Sequence, residues 1–516
     1  MNRSFAFLDQ IKNKLCSSSS LRNFALVMVV IGVILRLIQY SLNRSLWLDE
    51  CFVALTVVNK PFLALLNPID YFQVTPVGFL IIEKAFVVLL GNNEYILRLY
   101  PLVSGIVSLF LIYYVARHCI GEHGALIAVG LFSLSGFLIY YSSEVKQYSS
   151  DVTFALLLLA VTMHVRSSKF SGLSVAFFGV IGAISVWFSL TSVFVLTGIG
   201  CTLSLFSVYR RDWSANNKLL IIYFMWLLGC AVFYFIYLRN ISNTLDMQQS
   251  YWDGNFMPFP PMSVSDIKWF GKTFFEIFKR PIGLHQTGLG ALAFLLGTVS
   301  IFLRDRELFF ILISPLFVLL FVSALHIYPI KGRVIIFIVP FLLLFIGEGV
   351  IFLYNNTRNY SGIVALLLVG LLFYGPLTSA ANHAVYRTNY TIMPEEDTRS
   401  VMNYIEEHKK PGDLLYLYHY SIYPFRYYSE RYGFNDDDYI EGIYSIHDWD
   451  KYSEDLEKLR GNKRVWLMFS HSYKEDGNSD VFFYLNQLDH LGKRIDSFYS
   501  YGAAVYLYDL SKKHED

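Results

Sequence analysis

The sequence predicts a polytopic α-helical membrane protein that ends in a soluble α/β domain. Of the 516 residues, 54% are hydrophobic and only 16% are charged, whereas soluble domains carry about 25% charged residues. Long apolar segments recur up to about residue 378, where the composition becomes polar. The composition excludes an ordinary soluble protein. The net charge of +1 gives no indication of nucleic-acid binding, and we expect no such partner.

Apolar segments of the length needed to cross a bilayer as a helix define the membrane region, residues 24–377. The first segment follows a basic N-terminal stretch, residues 1–23, and lacks a small-residue cleavage site. We therefore interpret it as an uncleaved membrane helix rather than a signal peptide. The eleven predicted spans are 24–42, 99–117, 123–141, 152–166, 171–189, 191–209, 218–238, 286–303, 307–327, 334–354 and 360–377.

The distribution of basic residues predicts the orientation, because cytoplasmic turns are enriched in Lys and Arg. The N-terminal stretch is basic, and the turns that should share its side carry Arg117, Arg166, Arg210, Arg304 and Arg358. We therefore expect a multi-pass protein of the cytoplasmic membrane with its N-terminus in the cytoplasm. The predicted outer segments are the first loop 43–98, the second loop 142–151, the long loop 239–285, the turn 328–333 and the domain 378–516.

Residues 77–90 are apolar but short, and Glu83 and Lys84 interrupt them. A crossing here would reverse the sidedness of every later loop and break the charge pattern. We interpret this segment as an amphipathic helix that lies along the outer interface or is partly re-entrant.

The polar C-terminal region, residues 378–516, alternates helical and strand patterns. This alternation favours a small α/β domain. It contains no glycine-rich nucleotide-binding motif, so we expect no nucleotide cofactor there. The predicted helices are 394–408, 422–431, 450–459 and 480–491, and the predicted strands are 414–418, 465–469 and 503–508.

An acidic pair, Asp49 and Glu50, follows the first predicted span directly. Ionisable residues at the edge of the membrane are costly unless they face water or a substrate, so the pair is a candidate functional site. The alternative is a pair of interfacial acids that end a helix and are solvated in a loop. The predicted outer face collects most of the other unusual polar residues, which favours the functional interpretation.

Four cations on the same predicted face are candidate phosphate ligands: Arg98, Lys146, Lys331 and Arg333. A carboxylate that accepts a proton and cations that bind a departing phosphate are the groups that sugar transfer requires. The neighbouring candidates are Glu144, Gln147 and Tyr148. Several alternatives remain open, because the arginines also suit membrane anchoring, Glu144 suits an ion pair with Lys146, and Tyr148 suits the interfacial aromatic belt.

Five motifs resemble those of the GT-C superfamily of membrane glycosyltransferases. The chain is most similar to the branch with the protein O-mannosyltransferases and the lipid A aminoarabinose transferase. The motifs are Leu46-Trp-Leu-Asp49-Glu50, the segment 70–79 with Gln73, the segment 97–101 with Arg98, the segment 140–148 with Glu144, Lys146, Gln147 and Tyr148, and the turn 328–333 with Lys331 and Arg333.

The resemblance implies inverting transfer of a sugar from a polyprenyl-phosphate-linked donor to the hydroxyl of a glycan, lipid or protein acceptor. It implies that Asp49 is the catalytic acid–base residue, with Glu50 beside it, and that Arg333 and its neighbours hold the phosphate. Gln73 stands in the segment where relatives often carry Lys or His. Some relatives bind a divalent metal at the acidic pair and others do not; here Asp49 and Glu144 would be the ligands.

A transporter or lipid flippase with an extracytoplasmic binding domain is the main alternative, and a transferase-like scaffold without activity is another. Transporters place ionisable residues near the membrane midplane and often contain repeats. Here Arg36 and Glu348 are the main mid-span charges and no repeat is evident, which favours an enzyme. The long loop 239–285 is interpreted as a lid that closes over the lipid donor through residues 245–262.

Overall fold

A computed structural model describes residues 18–67, 71, 73–168, 170–241, 250–356, 361–386, 396–445, 448–471, 474–475 and 478–511. Its helices are α1 (Ser18–Ser41), α2 (Leu48–Asn59), α3 (Val77–Leu90), α4 (Leu99–Leu134), α5 (Gly136–Tyr141), α6 (Tyr148–Ser167), α7 (Gly172–Phe188), α8 (Ser192–Tyr209), α9 (Trp213–Ile236), α10 (Val264–Lys279), α11 (Thr287–Arg304), α12 (Arg306–Ala324), α13 (Val339–Asn356), α14 (Ser361–Tyr386), α15 (Thr398–His408), α16 (Ile422–Tyr428), α17 (Trp449–Glu457) and α18 (Asp480–Leu491). A helical turn covers Glu94–Leu97, and 3₁₀ turns cover Phe62–Leu66, Leu238–Ile241, Gly332–Ile338, Ser429–Tyr432 and Asp436–Asp438. The strands are β1 (Leu414–Leu417), β2 (Tyr439–Glu441), β3 (Val465–Ser470), β4 (Lys474–Glu475), β5 (Asn478–Ser479), β6 (Lys493–Ser500) and β7 (Ala503–Asp509).

Within the described residues, nine helical segments are long and apolar enough to cross a membrane. This confirms the predicted class of a polytopic α-helical membrane protein. Two predicted spans, 99–117 and 123–141, fall on α4 and α5, and α4 bends at Gly121, whose φ of +70° favours glycine. The predicted span 171–189 falls on α7, which has only 17 residues. Nine segments are found where eleven spans were predicted, because two predicted spans are joined in one helical segment and α7 is shorter than the others.

The chain divides into two compact units. The membrane unit contains the described residues within Met1–Leu42, Pro61–Gly91 and Tyr95–Tyr390. The second unit, here called the sheet unit, contains those within Asn43–Lys60, Asn92–Glu94 and Thr391–Asp516. The sequence assigned the whole loop 43–98 to the membrane domain and did not anticipate that parts of it belong to the sheet unit.

Ion pairs join turns of the membrane unit that the charge pattern assigned to one side. Arg166 lies 3.1 Å from an oxygen of Asp305 and 3.3 Å from one of Glu307, and Arg210 lies 2.6 Å from the same Glu307 oxygen. Residues from three predicted cytoplasmic turns therefore meet around one carboxylate.

The mid-span charges noted in the sequence also have partners within the membrane unit. Glu348 lies 2.8 Å from Arg304 and accepts a hydrogen bond from Ser300 Oγ at 2.6 Å. Arg36 is buried and donates to the carbonyl of Gly32 at 3.1 Å. Pairing of this kind lowers the cost of charged groups in an apolar surrounding.

Close helix packing in the membrane unit depends on two glycines. A Cβ atom at Gly297 in α11 would lie 1.8 Å from the carbonyl oxygen of Phe345, and one at Gly349 in α13 would lie 1.8 Å from that of Ala293. The two backbones therefore touch at a point where no side chain fits, as at other small-residue contacts between membrane helices.

The predicted helix 77–90 is α3, with the predicted bounds, and its placement along the outer interface or as a partly re-entrant segment remains a prediction. The sequence did not indicate the position of Glu83. Its side chain is fully buried, and neither carboxylate oxygen has a hydrogen-bond partner in the described part of the chain. The exposed residues are instead apolar: Ile81, and at the end of the helix Val88, Leu89 and Leu90. Glu83 therefore does not form a polar face toward headgroups.

The membrane unit ends with α14, which continues to Tyr386. The predicted domain limit of 378 thus falls inside this helix. The small and polar residues that follow the apolar part of α14 are compatible with a helix, although they do not extend the hydrophobic pattern.

The sheet unit contains a five-stranded sheet with the order β2-β1-β3-β7-β6. β1 is parallel to its neighbours β2 and β3, whereas β7 is antiparallel to its neighbours β3 and β6. A tyrosine-rich core lies against the sheet and includes Tyr416, Leu467, Tyr484 and Tyr506. The predicted α/β domain is confirmed, and the sequence analysis missed the short edge strand β2, the other edge strand β6 and the β4–β5 hairpin.

Helix α15 begins later than predicted. The sequence suggested a start at residue 394, but the helix starts at Thr398 and Asp397 caps it by accepting a hydrogen bond from the Ser400 backbone. Glu396 and Asp397 therefore precede the helix, and their carboxylates are available for contacts with other parts of the sheet unit.

Candidate active site

The predicted acidic pair lies at the start of α2, and its two carboxylates differ in their surroundings. Glu50 is fully buried; it accepts a hydrogen bond from the Trp47 backbone at 3.4 Å and lies 3.4 Å from Arg44. Asp49 is half-buried. Glu50 caps the helix and lies in an ion pair, whereas part of the Asp49 side chain remains accessible.

Residues near the start of α15 and along α16 hold the backbone around this pair. The Leu48 N–H donates to Glu396 at 3.0 Å, and the Leu46 N–H donates to the Tyr428 hydroxyl at 2.9 Å. The carboxylate of Glu396 is buried. Buried hydrogen bonds to charged groups are among the stronger ones, so these contacts fix the position of α2 within the sheet unit.

A second group of contacts holds the residues just before the acidic motif. Ser45 Oγ donates to Asp397 at 3.0 Å, and the Arg399 guanidinium contacts the Asn43 carbonyl and Glu94. Burial raises the pKa of the Asp397 carboxyl, but hydrogen bonds from Ser400, Ser500 and Ser45 outweigh burial and lower it overall. Asp397 therefore stays ionised and acts as an acceptor at neutral pH.

Glu396 also contacts a histidine at the end of β3. His471 Nδ1 lies 2.5 Å from Glu396 Oε1, and the His471 ring is 6.3 Å from the Trp47 ring. One carboxylate thus connects the acidic motif with the carboxyl end of β3, the middle strand of the sheet. Sequence reasoning missed Glu396, Tyr428 and His471, because no local pattern links them to residues 46–50.

The predicted second outer loop, 142–151, brings several candidates together in the membrane unit. Lys146 is buried and donates to Gln73 at 2.6 Å, and Gln147 donates to the carbonyl of Val74 at 3.5 Å. The hydroxyl of Tyr237 donates to the carbonyl of Thr75 at 2.8 Å. The segment 73–75 is therefore anchored on both sides, and Gln73 contacts a cation rather than replacing one.

Arg333 belongs to the same region of the membrane unit. Its guanidinium carbon is 5.9 Å from the centre of the Tyr148 ring, within the distance at which a cation is attracted to an aromatic face. Glu144 is fully buried in the loop between α5 and α6. The structure thus pairs Gln73 with Lys146 and Arg333 with Tyr148, and the consecutive residues 146–148 link the two pairs.

Two other predicted cations have different surroundings. Arg98 is buried at the residue that precedes α4. The Lys331 side chain is exposed at the start of the 3₁₀ turn Gly332–Ile338.

The long outer loop is tied to the turn before Arg333. The Ile330 N–H donates to the carbonyl of Asn255 at 2.9 Å, and the Met257 N–H donates to Ser323 Oγ at 2.9 Å. Part of the predicted lid, residues 242–249, lies outside the described residues. The role of residues 245–262 as a lid remains a prediction.

A metal site was one of the sequence-based hypotheses, with Asp49 and Glu144 as ligands. Among the residues that the structure describes, no group of three His, Cys, Asp or Glu side chains is arranged to hold a metal ion. The hypothesis that Asp49 and Glu144 hold a metal remains a prediction, and no step of the reaction is assigned to a metal.

No family model matches the chain, and no curated protein matches it at the sequence level. Solved structures do match, at 12% sequence identity. ArnT from Cupriavidus metallidurans in the apo state has a TM-score of 0.55, with 95% of this chain and 98% of that chain covered. The same protein bound to undecaprenyl phosphate has a TM-score of 0.54, with 94% and 98% covered.

The archaeal oligosaccharyltransferase AglB from Archaeoglobus fulgidus also matches. Its complex with an inhibitory peptide and a dolichol-phosphate has a TM-score of 0.52, 12% identity, and coverage of 93% of this chain and 74% of that chain. The chain has a GT-C-like fold. An oligosaccharyltransferase complex with Zn and sulfate from the same organism matches at a TM-score of 0.53 and 12% identity, over 86% and 67%. Because the sequence identity is only 12%, the similarity to these solved structures describes the fold alone.

Proposed function

We propose that this GT-C-like protein is an inverting glycosyltransferase that uses a polyprenyl-phosphate-linked sugar. The observation that carries the proposal is the different burial of the two neighbouring carboxylates. Glu50 is buried and caps the helix, whereas Asp49 is half-buried. The structural neighbours bound to undecaprenyl phosphate and to a dolichol-phosphate support a lipid-phosphate donor.

In the proposed reaction, the acceptor hydroxyl attacks the anomeric carbon of the donor sugar from the face opposite the phosphate. The new carbon–oxygen bond forms as the bond from the anomeric carbon to the phosphate oxygen breaks, so the configuration inverts. Asp49 takes the hydroxyl proton, which is the role of a general base. The products are the glycosylated acceptor and the polyprenyl phosphate.

The departing phosphate gains negative charge, and the proposal assigns its stabilisation to Lys146 and Arg333 in the membrane unit. Cations and hydrogen-bond donors that are already in place stabilise such charge without further reorganisation. Arginine also matches phosphate oxygens with two parallel hydrogen bonds. Gln73, Gln147 and Tyr148 are assigned to positioning these cations, on the basis of the contacts described above.

The proposed location is the outer face of the cytoplasmic membrane, with the N-terminus in the cytoplasm and the sheet unit extracytoplasmic. The positive-inside pattern supports this orientation, as does the meeting of Arg166, Arg210 and Glu307 from turns assigned to the cytoplasmic side. The acceptor class proposed from the sequence includes glycans, lipids and proteins.

The proposal is tested by comparing Asp49→Asn with Glu50→Gln in purified full-length protein in proteoliposomes. A panel of radiolabelled polyprenyl-phosphate sugars is supplied, and both transfer to membrane acceptors and release of free sugar to water are measured. We expect Asp49→Asn to lower kcat by about 10²- to 10⁴-fold with an unchanged melting temperature, as for loss of a general base. Glu50→Gln should lower the melting temperature and retain most of the turnover.

Equal turnover by wild type and Asp49→Asn would contradict the assignment of the base. If the folded wild-type protein releases sugar from no member of the panel but moves the lipid across the bilayer, the transporter alternative would replace the proposal.

A further inference from the structure

A buried histidine in the sheet unit is not used by the proposed reaction. His419 follows β1, its side chain is 4% exposed, and neither ring nitrogen has a hydrogen-bond partner among the described residues. Buried polar groups are nearly always hydrogen-bonded to protein, water or a ligand. A buried ring whose two nitrogens have no partner among the described residues is therefore a candidate to bind a ligand.

Tyrosine rings surround His419. The centroid of its ring lies 4.0 Å from that of Tyr418, 4.3 Å from Tyr420, 5.1 Å from Tyr444 and 6.1 Å from Tyr452. Tyr444 is 64% exposed, so the cluster of rings around His419 is open to solvent on the side of Tyr444. The histidine thus lies beneath aromatic faces that a ligand can reach.

The imidazole is neutral under ordinary conditions. Burial, together with the nearby His471, lowers the pKa of His419 to about 4. A neutral imidazole has one ring nitrogen that donates a hydrogen bond and one that accepts. A hydroxyl group, which also donates and accepts, is the complementary partner.

The position in the sheet is one where ligands bind in α/β proteins. His419 follows β1 and His471 follows β3, and these two strands are parallel neighbours. Both histidines therefore lie at the carboxyl ends of parallel strands, where open α/β sheets bind their ligands.

A line of rings continues from His419 toward the acidic motif. The Tyr420 ring is 5.4 Å from the His471 ring, and the His471 ring is 6.3 Å from that of Trp47. Trp47 stands two residues before Asp49 in the sequence. The ring line is defined here as His419, Tyr420, Tyr444, His471 and Trp47.

We propose that the ring line is a carbohydrate-binding site that holds the acceptor of the reaction. Aromatic faces bind the C–H faces of a sugar ring, and the few polar groups in such a site orient its hydroxyls. The neutral His419 and the tyrosine rings carry no positive charge, which disfavours a phosphate or another anion as their ligand. The proposal of carbohydrate binding rests only on the residues of the ring line. The proposal that the bound sugar is the acceptor rests in addition on the proposed function.

The test measures binding to purified full-length protein in nanodiscs by saturation-transfer NMR. The probes are glucose, galactose, mannose, their N-acetylated amino sugars and the corresponding disaccharides, with a serine- and threonine-containing peptide for comparison. The variants are Tyr444→Ala, which removes the exposed ring, and His419→Phe, which keeps a ring and removes both nitrogens. Phe482→Ala is the matched control, because Phe482 is 69% exposed in the same unit and does not belong to the ring line.

At least one saccharide should bind wild type and Phe482→Ala with equal affinity. We expect about tenfold weaker binding in Tyr444→Ala and a larger loss in His419→Phe. If His419→Phe does not fold, the comparison of wild type with Tyr444→Ala still tests the proposal. Binding of the peptide alone, binding of no saccharide, or equal saccharide binding by wild type and a folded Tyr444→Ala would overturn the proposal.

Transfer is assayed separately, so the two proposals fail in different ways. Saccharide binding that depends on Tyr444, without transfer from any lipid-phosphate sugar, would keep the site and remove the glycosyltransferase proposal. Transfer from a lipid-phosphate sugar, without saccharide binding at the ring line, would keep the glycosyltransferase proposal and remove the carbohydrate-binding site.

Discussion

The acidic motif 46–50 and the loop 142–147 both follow apolar helices, but they are held in place in different ways. The motif is held by partners far along the chain: Leu48 contacts Glu396, 348 positions later, and Leu46 contacts Tyr428, 382 positions later. The loop and its flank use nearer partners within the membrane unit, since Lys146 contacts Gln73 over 73 positions and Ser149 contacts Pro101 over 48.

This difference separates two parts of the proposed chemistry. The position of Asp49 depends on the sheet unit, whereas the position of Lys146 depends on the membrane unit. Changes in the two regions should therefore have different kinetic effects. Loss of base positioning lowers kcat, and loss of a phosphate ligand raises the donor KM as well.

The largest effect expected from this comparison is that of Lys146→Met. It removes a buried cation proposed to bind the phosphate and leaves Gln73 without its 2.6 Å donor. We expect kcat/KM for the donor to fall by about 10²-fold, because interactions that stabilise developing charge in an enclosed site are strong. Steady-state kinetics with varied donor concentration measure it. Lys272→Met, which changes an exposed lysine on α10, is the control, and an unchanged donor KM would argue against phosphate binding by Lys146.

Glu396→Gln tests the other side of the comparison. It weakens the acceptor for the Leu48 N–H and for His471, and a lost charge-assisted hydrogen bond costs about 1.5–3 kcal/mol. We expect kcat to fall about tenfold with an unchanged donor KM, and Glu396→Asp to recover part of the loss. Glu407→Gln, on the exposed side of α15, should have no effect. A rise in donor KM alone would assign Glu396 to the donor instead.

The stability of the sheet unit should depend on pH through His419. Its pKa is lowered to about 4 in the folded chain and is about 6.5 in the unfolded chain. The unfolded chain therefore binds more protons between these values, so the unfolding free energy is constant above about pH 6.5 and falls as the pH is lowered toward 4. The groups around the ring are Tyr418, Tyr420, Tyr444, Tyr452 and His471.

The expected loss across that window is about 3 kcal/mol. About 2 kcal/mol of this should be lost by pH 5, which lies roughly 1.5 pH units below the pKa of the unfolded chain. Hydrogen–deuterium exchange of peptides from β1, measured at pH 7.5 and pH 5, checks that part after correction for intrinsic exchange. The pH dependence should be smaller in His419→Phe. A slope that is identical in this variant would show that other groups, such as Asp397, cause it.

The smallest effect is expected at Lys331, which the sequence predicted as a phosphate ligand. Its side chain is exposed, and an exposed charge contributes about 1 kcal/mol or less. Lys331→Met should change kcat/KM by less than about fivefold in the same donor titration. A loss as large as that of Lys146→Met would place Lys331 among the phosphate ligands and would remove the distinction drawn between them.

The sequence predicted much of the fold because the signals involved are local. Apolar segments identified the membrane helices, and short apolar runs identified β1, β3 and β7. The edge strand β6 escaped prediction because its residues, Lys493–Ser500, are mostly polar and largely exposed. The burial of Glu83 was also missed, because helical periodicity does not show which face of α3 is covered.

The site residues named from the sequence remain predictions, although the structure adds to several of them. It brings Gln73 and Lys146 together and gives Glu50 a capping role that the resemblance did not indicate. The contacts of Glu396, Tyr428 and His471 with the acidic motif were not predictable, since they join residues more than 340 positions apart.

These distant contacts also have a consequence for biosynthesis. Residues 43–60 leave the ribosome early, but Glu396 and Tyr428 are made only when most of the chain has been translated. The surroundings of Asp49 described here therefore cannot form on a nascent or truncated chain, since domains acquire their contacts as the chain emerges. A chain that is cut short before residue 396 would carry the acidic motif without these hydrogen bonds, so under the proposed function its activity would require a nearly complete polypeptide.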